Sequence, residues 1–286
     1  MNGEAAAQAQ AGNGQDTPWR ILLPVVVLAI GLAAWELAVS IYDIQPYVLP
    51  GPWLILRTLV ADWSVLSESL LVTLVTTLEG FVSAAIGGIA LALLFNRSRW
   101  LEQALFPYAI ILQVTPVIAI APLLLIYLPQ QVAVVACAFI VAFFPVLSNT
   151  ALGLKSVDRN LAGLFQLYRA SPMQTLRYLK LPAALPYILG GLRIAGGLSL
   201  IGAVVAEIAA GSAGAGSGLA YRIAESGYRL NIPRMFAALL LLSAAGIVIY
   251  ALLALVSHLV LRRWHESALG KASCWRPIFL QKRSTC

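Results

Sequence analysis

Long uninterrupted apolar runs restrict this chain more than any other feature it carries. Six stretches qualify, at Ile21–Val39, Leu70–Phe95, Leu105–Leu128, Val132–Leu152, Tyr187–Ala210 and Phe236–Leu261. Each is close to or longer than the roughly 20 residues that a helix needs to cross about 30 Å of hydrocarbon. Alternation with a strand period is absent, which argues against a β-barrel. Composition points the same way: 60% of the 286 residues are hydrophobic, 11% are charged, and the mean hydropathy is +0.85. A soluble globule must cover itself with polar groups and has no room for that much apolar surface. Intrinsic disorder and a nucleic-acid-binding tail are excluded as descriptions of the whole chain. The expected class is an all-α protein of the lipid bilayer with six transmembrane helices.

The formal charge of +7 calls for a membrane explanation, and the loops supply one. With the N-terminus placed inside, the outer loops hold Arg57, Arg222, Arg229 and Arg234, and Arg193 falls within the fifth span. The other fourteen of the nineteen basic residues then lie on the inner side. Lys and Arg favour the cytoplasmic side of short loops, so both termini are expected there. A nucleic-acid partner is not required.

The segment before the first run has no Lys or Arg up to Trp19, and the run exceeds a signal-peptide core in length, so cleavage is not expected. Residues 1–18 read as a mobile tail, 19–66 as the first span with its outer loop, and 67–263 as the main transmembrane domain. Residues 264–286 read as a basic cytoplasmic tail whose end does not match a prenylation box. Cys137, Cys274 and Cys286 lack metal-type spacing, and Cys137 reads as a small apolar filler. With only two histidines, His258 and His265, a zinc or haem site has little support.

The most patterned segment is the connection 154–186. Asp158 is placed to cap a helix starting at Arg159, in which Leu161, Leu164, Phe165 and Tyr168 share one face. Ser171, Pro172 and Gln174 then spell a capping box with proline at the first helical position. A second short helix is expected over Pro172–Leu179, with Met173, Leu176 and Leu179 on one side. An apolar stripe outside the bilayer needs a cover. Pattern alone leaves two readings: packing on the protein's own helix ends, or a dock for a cytoplasmic partner.

Arg169-Ala170-Ser171 followed by Leu181-Pro182-Ala183-Ala184-Leu185-Pro186 resembles the EAA loop in permease subunits of binding-protein-dependent ABC importers. The likeness continues through Gly191-Leu192-Arg193-Ile194-Ala195 and Val205-Ala206-Glu207, and backwards to Phe143-Phe144-Pro145, Pro122 and Pro116. It covers about residues 70–262 and is best to the nitrate, sulfonate and taurine group, which includes permeases for pyrimidine thiamine precursors and riboflavin. The resemblance implies the type I importer permease fold, a bacterial inner-membrane location, and docking of an ATPase on Leu161, Gly163, Leu164, Phe165, Tyr168, Arg169, Ala170, Ser171, Met173, Leu181 and Pro182. The family's Glu-Ala-Ala falls here on Gly163-Leu164-Phe165, and its Gly falls on Arg169. Glycine at that joint serves a left-handed turn, where another residue costs about 1 kcal/mol or more. Either the joint has another geometry or Arg169 accepts the strain.

Uphill transport needs an energy source, and the chain contains no G-x-x-x-x-G-K-[ST] phosphate loop. The glycine-rich stretch Gly211–Gly218 lacks the Lys of such a loop and reads as a flexible outer connection. The resemblance therefore implies a pore subunit that is not itself an enzyme and binds no cofactor, with ATP and Mg used by a separate ABC ATPase dimer. It also implies a second copy of the chain and a periplasmic solute-binding protein. The cargo would be a small solute, sulfonate-, taurine- or nitrate-like, or pyrimidine- or riboflavin-like. The alternative is a secondary transporter driven by an ion gradient, which would require paired acids or an inverted repeat. Neither is visible. A membrane-embedded enzyme would need clustered His, Asp or Glu, and these are scattered.

Ionisable groups within spans are costly and default to functional candidates. Glu36 and Glu207 lie near outer ends, where headgroups or water are within expected reach. Arg193, near an inner end, has the same outlet, and His258 reads as structural. Glu79 is deeper, and a contact with another helix or with the solute pathway is expected for it. Pro116 and Pro122 interrupt the third span, with Gln113 just before them. Gln113, Pro116, Glu79, Ser199 and Glu207 are the candidate pathway residues. Gly190, Gly191, Ala195, Gly196, Gly197, Ser199 and Gly202 give the fifth span small faces suited to close helix packing.

Overall fold

The computed structural model describes residues 17–211 and 216–262. Residues 1–16 of the proposed N-terminal tail, the proposed C-terminal tail and the middle of the glycine-rich stretch lie outside the described residues, and Thr17 and Pro18 of that N-terminal tail begin the first helix instead. The described chain is helical: α1 (Thr17–Ile41), α2 (Pro52–Ala61), α3 (Trp63–Arg97), α4 (Arg99–Val114), α5 (Val117–Tyr127), α6 (Gln130–Lys155), α7 (Arg159–Leu167), α8 (Pro172–Thr175), a π-helical turn (Leu176–Lys180), α9 (Leu181–Ala210), α10 (Leu219–Tyr228) and α11 (Ile232–Leu261). Five helical stretches are long and apolar enough to cross a membrane, and the bent pair α4–α5 makes a sixth when counted as one broken span.

The described residues divide into two compact units, residues 17–67 with 222–240, and residues 68–211 and 216–221 with 241–262. In the first, the rings of Trp35 and Phe236 lie 6.0 Å apart. Glu36 accepts a hydrogen bond of 3.1 Å from the Trp53 amide, so a carboxylate neutralises the exposed N–H groups that begin α2. Asp62 accepts from Arg234 Nε at 2.6 Å, and this bond holds the Asp62 carboxyl below its ordinary range.

In the second unit, α6 and α9 make the most extensive helix contact. Small residues permit it. A side chain at Gly202 would come within 2.7 Å of the Cys137 carbonyl oxygen, and one at Gly191 within 3.0 Å of the Pro145 carbonyl oxygen. Cys137 is fully buried between Val134 and Ala138, among the small side chains of this seam. Gly190 and Gly197, by contrast, face open space, so only part of the expected small face is used within one chain.

The third apolar run is interrupted, as its prolines imply, and is not one continuous helix: it breaks at Thr115-Pro116, and its halves meet at 98°. Pro116 supplies no N–H for α4 to continue, and its ring keeps Thr115 extended, at φ −67° and ψ 124°. Pro122 sits inside α5 without breaking it. The second loop helix is not separate either, because α8 passes through the π turn into α9 without interruption. The Leu181 amide reaches back to the Leu176 carbonyl there. Pro182 has no N–H to close the next ordinary turn, so a widened turn just before it loses little.

Candidate functional site

The loop 154–186 folds as its caps dictate. Asp158 Oδ1 accepts from the Asn160 amide at 2.6 Å and starts α7. Both halves of the capping box form: Ser171 Oγ accepts from the Gln174 amide at 3.2 Å, and Gln174 Oε1 accepts from the Ser171 amide at 2.7 Å. Between the helices, the Arg169 amide donates to Gln166 O and the Ala170 amide donates to Phe165 O, each at 2.9 Å. This pair of bonds is a Schellman motif, which satisfies the last carbonyls of α7 and places a left-handed residue just after the helix. That residue is Arg169, with φ at +50°. The joint keeps the geometry that suits glycine, and Arg169 carries the strain.

The apolar residues of the loop serve two ends. Leu179 is buried, and Phe165 and Leu176 are half-buried beside Leu93 and Asn96 at the end of α3. Lys180 Nζ donates to Asn96 Oδ1 at 2.7 Å, and Lys155 pairs with Glu102. These contacts hold the loop on the helix ends. Leu161, Leu164, Tyr168 and Met173 remain 49%, 47%, 78% and 70% exposed, and a side chain at Gly163 would meet nothing within 4 Å. Ala170 is half-buried, Ser171 and Arg169 are exposed, and Leu181 and Pro182 begin α9. The loop thus presents a rigid, partly apolar outer surface over a supported inner one. It contains no arrangement of reactive groups.

The five pathway candidates do not converge. Glu79, Gln113 and Pro116 are exposed on the single chain. Ser199 is buried, donating to the Thr77 carbonyl at 2.8 Å. Glu207 does not reach headgroups or water as expected from its position; it is only 4% exposed. Its Oε2 accepts from Thr73 Oγ1 at 2.9 Å and from the Ala220 amide at 3.1 Å. Thr73 Oγ1 in turn accepts from the Leu219 amide at 2.8 Å. Together these two side chains satisfy the first two N–H groups of α10, as a capping residue would. A side chain at Gly218 would stand 2.0 Å from the Glu207 carboxyl carbon, so only glycine fits beside it. A cleft of about 460 Å³ adjoins this cluster, lined in part by Thr76, Gln130, Gln131, Glu207 and Tyr221. No sequence motif pointed to Thr73 or to the cleft, since the bond from Thr73 to Glu207 joins helices far apart in the chain.

Residues 84–263 match the family described as the inner membrane component of binding-protein-dependent transport systems. A riboflavin transport system permease protein of Chloroflexus aurantiacus is 33% identical, over 87% of this chain and 92% of its own length. A formylaminopyrimidine transport permease protein of Halalkalibacterium halodurans is 32% identical, over 85% of this chain and 96% of its own. Among solved structures, an amino acid ABC transporter crystallised with histidines superposes with a TM-score of 0.58 and 20% identity. The superposition covers 71% of this chain and 97% of that one, and at that identity it speaks to the fold.

Proposed function

We infer the working arrangement from one premise: the chain belongs to the inner membrane components of binding-protein-dependent transport systems. It is a multi-pass membrane permease, the transmembrane pore subunit of an ABC importer. Two copies would form the pore, a separate ATPase dimer would dock on the paired loops 154–186, and a solute-binding protein would deliver cargo from the periplasm. The basic residues of the loop favour the cytoplasm, with both termini on that side.

The observation that carries the docking role is the division within the loop. Phe165, Leu176 and Leu179 anchor it, while Leu161, Leu164, Tyr168 and Met173 stay outside on a capped, short frame. ATP binding would draw two ATPase subunits together, each gripping one loop. Because α8 runs through the π turn into α9, movement of the loop passes directly to a transmembrane helix. The membrane halves would then rock between outward and inward openings. Such a lever needs a stiff apolar grip and no covalent chemistry.

The relatives favour a small heteroaromatic solute of flavin or pyrimidine type.

Replacing Leu164 with Asp is the direct test, since Leu164 is exposed and its loss leaves the anchor in place. The expected result is loss of co-purification with the cytosolic ATPase and at least about a tenfold fall in solute-stimulated ATP hydrolysis, the cost of about 1.4 kcal/mol at a contact surface. An unchanged ATPase yield with both Leu164→Asp and Met173→Asp would overturn the docking assignment. Phe165→Asp is less informative, because Phe165 also supports the loop.

A further inference from the structure

Arg193 has a position that the transport reading does not use. It lies on α9 inside the apolar span, in the half nearer the loop 154–186. Its guanidinium carbon is 5.9 Å from the centre of the Tyr250 ring on α11. Its Nε is buried and has no hydrogen-bond partner, and among the described residues Arg193 forms no ion pair. A buried guanidinium N–H without an acceptor is costly, and cation–π contact with one ring face supplies no acceptor.

One turn further along α9, Gly196 forms part of an open groove of about 230 Å³ between α3, α9 and α11. Leu74, Leu78, Phe81, Leu252 and Leu253 line it. Leu78, Leu252 and Tyr250 are 59%, 56% and 56% exposed, so the groove lies on the surface of the chain. Thr77, its hydroxyl buried, is the one polar residue of the lining, so a polar solute has little to bond to. A hydrocarbon chain fits, and the orphaned guanidinium one turn away calls for an anion. One class of molecule meets both demands.

We propose that an anionic phospholipid occupies this groove, with its phosphate on Arg193 beside Tyr250 and an acyl chain between α3, α9 and α11. The phosphate supplies the countercharge that the chain itself withholds and bonds to the terminal N–H groups of the half-buried guanidinium, as basic pockets between transmembrane helices do for anionic headgroups. With the orientation inferred above, Arg193 lies in the cytoplasmic leaflet; the site itself does not depend on that orientation.

The full chain, delipidated in detergent and returned to nanodiscs containing equal phosphatidylglycerol and phosphatidylcholine with identical acyl chains, provides the test. Lipid retained after re-extraction is counted by native mass spectrometry. The intact protein should retain phosphatidylglycerol about fivefold over phosphatidylcholine, the ratio expected for one basic side chain. Arg193→Gln should bring that ratio to about one, as should Tyr250→Leu in part, while Leu252→Trp should lower retention of both lipids by filling the groove. Glycerol phosphate should fail to displace the lipid; displacement would mean a free phosphate site and overturn the proposal. Equal retention by the intact protein, or an unchanged ratio in the Arg193 and Tyr250 variants, would also overturn it. Leu164→Asp should leave the ratio intact, so failure of the lipid site and failure of ATPase docking are read separately.

Discussion

At the residue scale, Arg169 shows a local conformation persisting after the residue that suits it has gone. The Schellman bonds from Arg169 and Ala170 to the end of α7 require a left-handed residue, and the chain places Arg at φ +50°. Leu230 repeats the pattern at the end of α10, with φ at +55° and amide bonds from Leu230 to Gly227 and from Asn231 to Ser226. Arg169→Gly should therefore stabilise the joint by about 1 kcal/mol, since glycine removes the left-handed penalty. Slower hydrogen exchange over residues 159–175 would register the gain. Faster exchange would mean that the Arg169 side chain contributes more than its backbone strain costs. The sequence left the joint open between another geometry and a strained Arg because Schellman bonding depends on where α7 ends, which side-chain pattern alone does not settle.

At the scale of elements, local signals were legible and long-range ones were not. Asp158, Ser171 and Gln174 announced both loop helices because capping is completed within a few residues. The break between α4 and α5 was only half legible: Pro116 marked the place, but a kink and a 98° break share the same residues. The difference is set by what packs around the joint. Glu207 was misjudged for the same kind of reason. Its distance along α9 suggested access to water, yet Thr73 of α3 and the start of α10 close over it. Glu207→Ala should leave the Ala220 amide unpaired, while the Thr73 hydroxyl keeps its bonds to Ser69 O and to the Leu219 amide, and should cost about 1–3 kcal/mol, read as a lower melting temperature in detergent. Glu207→Gln keeps an acceptor oxygen and should cost less. Equal losses in the two variants would show that the carboxylate's charge, and not the capping bond, holds α10.

For the whole molecule, Glu79 is the residue that a single chain leaves unexplained. It lies in a membrane-spanning helix and is exposed; Ser83 Oγ donates to its backbone carbonyl at 2.7 Å, while its carboxylate accepts no hydrogen bond from the described residues. A second copy or a water-filled pathway between copies would give it a partner, as the pore assignment proposes. Glu79→Leu should leave the melting temperature within about a degree, since an exposed side chain without contacts is lost, while solute import into vesicles falls at least about tenfold. Import that survives the change would remove Glu79 from the pathway. By itself the sequence determined the helical membrane class, the approximate places of the apolar spans, the capped loop and the family likeness. Those features depend on apolar length, on 3.6-residue periodicity and on contacts between near neighbours in the chain. Only the tertiary structure decided which apolar loop residues anchor and which remain outside, that Glu207 is buried, and that Arg193 Nε stands without an acceptor among the described residues. Those outcomes depend on which helices come to lie beside one another, and the packing of small residues at Gly191 and Gly202 controls that.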